Sequence, residues 1–244
     1  MNGLISKVWE SPGFTFDRLG DTELGLVRSL ITDQYLARLH ELQPELVPQA
    51  RDLGIWDYHK LPIQFDHAQA WTKQSRLLAA EHVDRFSAMG FLERIRQQLG
   101  PTARISHNEL NWRLVRPNQP NDIGPIHADK WFWDGGYGQM PEGHDRIKIW
   151  IAIHTEPGAN GLKMLADSHR RQWMHHFEMR GGINKPIFDE PEPEMPLLPL
   201  APGQMVLFHD EVLHGGVVNC STTCRVSIEL TVLFDALAAR RFAA

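Results

Sequence analysis

Cysteine is nearly absent: Cys220 and Cys224 are the only two, too few for a disulfide framework. A zinc site would need two further ligands beside that pair, so both read as ordinary small residues. Long apolar runs are missing too. No stretch of about 20 apolar residues is present to span a bilayer, so no membrane insertion is expected. Met1 to Glu10 lacks the basic start and apolar run of an export signal, and a cytoplasmic location is the expectation. Positive charge is not in excess. The formal net charge is −5, which argues against nucleic acid as a partner and leaves a small molecule. No internal repeat is found. What the chain does have is 42% hydrophobic residues, enough for a core, together with 13 histidines and 8 tryptophans.

The length suits one domain over residues 1–244, with about 1–100 mainly helical and about 101–235 mainly strand. Residues 1–21 read as irregular. Leu26, Leu30, Leu36, Leu39 and Leu42 recur at helical spacing, which predicts a helix from Asp21 or Thr22 to about Leu46. Further helices are expected over Ala68 to Ala80 and over Val83 to Leu99, the latter stopped by Gly100 and Pro101. The texture then changes. Ile105 to Val115 alternates, as do Lys148 to His154 and Arg225 to Leu233, and alternation is the mark of a half-buried strand. Leu162 to Leu165, Gln204 to Phe208 and Val212 to Val218 read as shorter strands, and Ser168 to Phe177 reads as loop or helical turns. Ile183 to Pro202 holds six prolines and cannot be a central strand; it reads as a solvated connection or a rim loop over a substrate. The tail from Ala236 to Ala244 reads as a short helix or disordered. Helices followed by many short strands predict a mainly β sandwich or barrel, a jelly roll, with the N-terminal helices packed outside.

Chemistry concentrates at Ile126-His127-Ala128-Asp129. On a strand, residues i and i+2 share a face, so His127 and Asp129 can reach one ion from one side. A second imidazole from a later strand completes two histidines and one carboxylate, the set used by non-haem Fe(II) oxygenases. His214 is the expected third ligand. His209, in His209-Asp210-Glu211, competes for that role, and His154 at the end of an alternating strand can mimic a ligand. Arg225, Ser227, Glu229 and Thr231 share one face of the last strand, which suits a lined cavity or a solvated face.

The text around these residues resembles a known family. Trp150-Ile151-Ala152-Ile153, Asn160-Gly161 and Ser168-His169-Arg170 are similar to the middle of the phytanoyl-CoA dioxygenase-like branch of the Fe(II)/2-oxoglutarate oxygenases. Pro202 to Phe208, His214-Gly215-Gly216, Asn219 and Arg225-Val226-Ser227 resemble its closing strands. The resemblance spans roughly residues 20–235. It implies a double-stranded β-helix, a cupin-like jelly roll. It implies Fe(II) on His127, Asp129 and His214, with 2-oxoglutarate and O2 as cosubstrates. It also implies that Arg225 holds the distal carboxylate of 2-oxoglutarate, helped by Ser227. The implied reaction is hydroxylation of an unactivated C–H bond of a small polar or anionic metabolite, a sugar, acid or acyl derivative, with release of succinate and CO2. A carboxylate at 129 favours hydroxylation over halogenation, which needs that position empty. One departure is Ala166-Asp167-Ser168-His169, where the family more often has Pro-Gly-Ser-His.

Lys130, Trp131, Arg113 and Trp150 are the candidate substrate contacts, with Asn111 and Lys148 on the same potential inward faces. Two other readings keep the barrel: a cupin-like metal-binding protein or sensor without oxygenase activity, and a metal-dependent isomerase.

Overall fold

Each central strand turns one face to the interior and the other to the helices, and the computed structural model is built on that division. It describes residues 5–136, 138, 140–180 and 183–239. The chain begins with helix α1 (Ser6–Trp9) and strand β1 (Phe14–Arg18). Helices α2 (Asp21–Leu42), α3 (Val47–Leu53), α4 (His67–Ala70), α5 (Ala80–Ser87) and α6 (Gly90–Leu99) follow. Then come β2 (Arg104–Ile105), β3 (Asn111–Val115), α7 (Asp129–Asp134), β4 (His144–His154), β5 (Leu162–Met164), β6 (His175–Arg180) and β7 (Ile183–Phe188). The last elements are β8 (Gln204–Phe208), β9 (His214–Gly216), β10 (Arg225–Asp235) and α8 (Ala236–Ala239).

The main sheet runs β1-β8-β4-β10, and β2 and β3 share the outer edge of β10. A smaller sheet, β5-β9, faces it. Single bridges extend that sheet on both sides, His127 to His214 and Lys163 to Leu197. This is the jelly roll that the sequence predicted. Ile147, Ile149, Ile151 and Ile153 of β4 and Val226, Ile228, Leu230 and Val232 of β10 bury their side chains against the helices. The opposite face, with Trp150, Ala152, Val206 and Phe208, packs on Leu162 and Met164 of the smaller sheet.

Several elements differ from the sequence reading, each for a tertiary reason. Residues 14–18 are not irregular; they form edge strand β1, paired with β8 from Phe14–Phe208 to Arg18–Gln204. The stripe of α2 that is fully buried is Val27, Leu30, Ile31, Tyr35 and Leu39, while Leu26, Leu36 and Leu42 are only partly covered. No helix fills 68–80. The Ser75 hydroxyl donates to Ala70 O and the Thr72 hydroxyl accepts from Ser75 N, which ends the helical ladder after one turn. The expected helix over 83–99 is two helices, broken at Met89, whose backbone is extended. Glu23 of α2 accepts from Gly90 N at 2.6 Å and from Gly20 N at 2.7 Å, so one carboxylate caps the starts of α6 and α2. The Pro-rich 183–202 segment begins as β7, an edge strand of the β6–β7 hairpin, which is where a proline is tolerated. Of the tail, Ala236–Ala239 is helical and the rest lies outside the described residues, as do residues 1–4 of the N-terminal stretch.

Beneath the helices lies a buried polar cluster. Trp71 Nε1 donates to Tyr58 Oη at 3.0 Å, Tyr58 Oη meets His67 Nδ1 at 3.1 Å, and His67 Nε2 lies 3.6 Å from Asp122. Burial pushes the His67 imidazole down to about 4, against the pull of Asp122. The folded value is below the unfolded one, so this stability is complete above pH 6.5 and is lost as pH falls toward 4. The expected loss from this group is about 3 kcal/mol. Urea midpoints of the metal-free protein at pH 7 and pH 4.5 measure it, and His67→Gln should show the smaller drop.

Candidate active site

The two histidines are placed by the smaller sheet. His127 and His214 sit opposite each other in an antiparallel bridge, with N–H to O distances of 3.0 Å in both directions. Each ring meets the carbonyl two residues before it: His127 Nδ1 with Pro125 O at 2.8 Å, and His214 Nδ1 with Val212 O at 2.9 Å. Those contacts assign the proton to Nδ1 and leave each Nε2 lone pair pointing at the same space. The ring centroids are 4.3 Å apart.

Asp129 arrives differently from the strand geometry expected. The chain stays extended through Ala128 and then turns into α7, with Asp129 as its first residue. The Lys130 amide donates to Asp210 O at 3.0 Å, and Asp210 is in turn ion-paired with Arg146, so α7 is held by a buried charge pair. The carboxylate still reaches the site: Oδ1 is 3.8 Å from His127 Nε2, and Oδ2 is 3.7 Å from His214 Nε2. The three donor atoms lie within 4.8 Å of one another, and no other group among the described residues forms such a cluster.

Lys148 stands behind Asp129, its Nζ 3.8 Å from Oδ2 and 2.8 Å from Thr231 Oγ1, with Glu109 Oε2 at 3.5 Å. Burial works against ionising Asp129, but Lys148, then His214 and His127, hold it below the ordinary carboxylate range. Burial pushes His127 down to about 4, with His214 adding to the shift and Asp129 opposing it. At neutral pH His127 is therefore neutral and Asp129 ionised, and with His214 Nε2 they make a set of two imidazoles and one carboxylate, the donor chemistry of Fe(II).

Arg225 is 1% exposed. Its Nη1 donates to Gly161 O at 2.6 Å, while its Nε is buried without a partner. Ser227 Oγ, on the same face, is buried and unpartnered as well. Burial and Arg113 bring the guanidinium down to about 9, with Glu229 opposing, so it stays charged at neutral pH. Orphaned donors at a buried cation cost stability unless an anion meets them. The distal carboxylate of a 2-oxo diacid matches those donors in hydrogen bonding.

The motif residues explain themselves here. Asn160 donates to Asn219 Oδ1 at 3.0 Å, and Asn219 donates to Val115 O and Thr223 O, a buried network that sets Gly161 O for Arg225. β4 carries a bulge at Ile153 opposite Val226 and Ser227, and Arg28 donates to the Ile153 carbonyl. Ser168 Oγ accepts from Leu213 N at 2.8 Å, next to His214. Asp167 adopts φ 60°, the left-handed conformation that glycine would take at the family's usual Pro-Gly-Ser-His, and one that aspartate tolerates. The departure at 166–169 thus keeps the turn.

The cavity is lined by His127, Asp129, Lys148, Trp150, Arg113, Glu229, His214 and Arg225, and Gly124 and Gly216 open it to an outer groove with Ile123, Ile126 and Phe188. Arg113 and Trp150, two of the candidate substrate contacts, are among these lining residues. Lys130 and Trp131 are not among the lining residues. Lys130 Nζ is held by Asp134 at 2.7 Å, and Trp131 is buried between His175, stacked at 4.3 Å, and Phe188. Side chains of a helix leave the strand's alternation, which is why neither reaches the cavity wall. His209 stands beside His169, 5.4 Å between centroids, and His154 beside Trp56; neither joins the ligand cluster. Cys224 lies 3.4 Å from His59 and Cys220 is exposed; both thiols are free. Glu109 is the residue that sequence reasoning missed: it sits in a turn before β3, and only the fold brings it to Lys148.

A jelly roll with two histidines and a carboxylate at one end, and an orphaned buried arginine beside them, defines the class of Fe(II)/2-oxoglutarate-dependent oxygenases. The chain belongs to the phytanoyl-CoA dioxygenase (PhyH) family, which it matches over residues 26–227. Enzymes of this family use Fe(II), 2-oxoglutarate and O2. No curated protein matches it in sequence. Among solved structures it is similar in fold to the non-heme monooxygenase ThoJ (17% identity, TM-score 0.59, covering 94% of this chain and 77% of that one). EvdO2 from Micromonospora carbonacea var. aurantiaca, complexed with 2-oxoglutarate, is 18% identical with a TM-score of 0.57, covering 94% and 89%. The epimerase SnoN, in complex with Fe3+, alpha-ketoglutarate and nogalamycin RO, is 17% identical with a TM-score of 0.53, covering 95% and 82%. No helix among the described residues is long and apolar enough to cross a membrane.

Proposed function

We propose that the protein hydroxylates an unactivated C–H bond of a small polar or anionic metabolite. His127, Asp129 and His214 hold Fe(II), and Arg225 with Ser227 holds the distal carboxylate of 2-oxoglutarate. When bound, the metal and its cosubstrate supply the oxidising power, with one oxygen atom of O2 entering succinate and the other the product. The chain's own residues do the rest. Lys148 keeps Asp129 ionised and fixed. Arg225 orients the oxo acid with a two-pronged donor that lysine lacks. Trp150, Phe208 and Leu162 wall the cavity and limit water.

The observation that carries this reading is the orphaned Arg225 Nε in the same cavity as the three ligands, with the orphaned Ser227 Oγ buried on the same face of the strand. A cupin that only binds metal has no use for them. Supplying the iron-loaded protein with 2-oxoglutarate and O2 should yield succinate, and the absence of succinate above the rate without protein would reject the reading. Ser227→Ala should raise the KM for 2-oxoglutarate about fivefold, for a hydrogen bond contributing about 1 kcal/mol, with a smaller change in kcat.

A further inference from the structure

The cosubstrate contacts of the proposed function leave one pair of polar groups in the cavity unused. Arg113 Nε donates to Glu229 Oε1 at 3.1 Å. Among the described residues, the two terminal nitrogens of Arg113 and Oε2 of Glu229 make no hydrogen bond. Both side chains line the cavity and remain accessible, at 29% and 38%. The charge of Glu229 acts on His127 and Asp129, so the pair stands close to the metal ligands. Across the strand pair, Asn111 faces the same way as Glu229, is 7% exposed, and has its Oδ1 buried without a partner. Arg113 and Glu229 are therefore presented at the cavity wall with their bonding capacity incomplete, and Asn111 lies behind them on the same face of the sheet.

Their chemistry selects among ligands. An ammonium drawn to Glu229 would also face Arg113, Arg76, Lys148 and Arg225, the cations that already surround that carboxylate. A carboxylate drawn to Arg113 would meet Glu229 within the same contact. Like-charge contact in a buried site is costly in both cases. A hydroxyl group both donates and accepts. Two neighbouring hydroxyls satisfy the pair together: one donates to Glu229 Oε2 and the other accepts from Arg113. We infer that Glu229 and Arg113 form a recognition wall for a neutral polyhydroxylated substrate, such as a sugar or cyclitol ring, whose adjacent hydroxyls bridge Arg113 and Glu229. The wall narrows the proposed function to this substrate class and rests on that reading.

Calorimetry on the full-length protein loaded with Ni(II) and 2-oxoglutarate tests it without turnover. The probes are matched series built on sugar and cyclitol rings: neutral methyl glycosides and inositols, their uronate and amino counterparts, and deoxy analogues lacking one of two adjacent hydroxyls. At least one neutral member should bind at least about tenfold more tightly than its charged and deoxy counterparts. Glu229→Leu should lose that preference, and Glu229→Gln, which keeps an acceptor of the same shape, should recover part of it. The Gln variant also serves if the Leu variant fails to fold. Tighter binding of a uronate or amino member, no binding by any neutral member, or unchanged affinity in Glu229→Gln overturns the assignment. Failure of 2-oxoglutarate itself to bind the Ni(II) protein, seen in the preceding titration, would instead count against the oxygenase reading.

Discussion

Asp129→Ala should bind Fe(II) at least about 100-fold more weakly than the unaltered protein, since removing even a partner of a metal ligand costs about 10–100-fold. Succinate formation should fall to the level without protein. Asp129 is the one carboxylate in the ligand cluster, and Lys148 lies 3.8 Å behind it. Removing the carboxylate leaves two imidazoles beside a buried ammonium, which repels a divalent cation. Lys148 also keeps its bond to Thr231 and its ion pair with Glu109, so the variant should fold. Its circular dichroism and urea midpoint check that. Fe(II) affinity unchanged in Asp129→Ala would remove this residue from the site.

The second large effect is expected at Arg225. Arg225→Lys keeps a positive charge but loses the fork, and Arg225→Leu loses both. A hydrogen bond to a charged group contributes about 1.5–3 kcal/mol, so the KM for 2-oxoglutarate should rise about 10–150-fold in Arg225→Leu, with Arg225→Lys between. Gly161 O also loses its donor in Arg225→Leu, so some stability goes with it. Iron binding separates the two losses. Arg225 is not in the ligand cluster, and Fe(II) affinity without 2-oxoglutarate should stay within a fewfold. A 2-oxoglutarate KM that does not respond to either substitution would contradict the assigned role.

Much of this was legible in the sequence because alternation and spacing are local. β4 and β10 alternate in sequence, and the faces read from them are the faces the fold uses: isoleucines and valines on the helices, Trp150, Arg225 and Ser227 in the interior. The pairing of His127 with His214 could be read only in part. The sequence offered both residues, but the bridge that sets them opposite is a contact between distant strands. What was not legible depends on tertiary partners. The break between α5 and α6 follows from Glu23, 67 residues earlier in the chain, capping Gly90. β1 forms because β8 offers it an edge. The turn of the chain into α7 at Asp129 is fixed by Asp210 and Arg146, and it is what takes Lys130 and Trp131 out of the cavity. Glu229 was visible as a polar residue on the inward face, but its place beside Arg113 and Asn111 needed the register of β3 against β10.

One ion and one oxo acid should share a pocket made by His127, Asp129, His214 and Arg225. Anaerobic titration of 2-oxoglutarate into the Fe(II) protein tests it most directly. A weak visible absorption of the iron-chelated oxo acid should grow and saturate, and it should require much more 2-oxoglutarate in Arg225→Leu and vanish in Asp129→Ala. Iron that binds tightly while no such band forms at saturating 2-oxoglutarate would contradict the account.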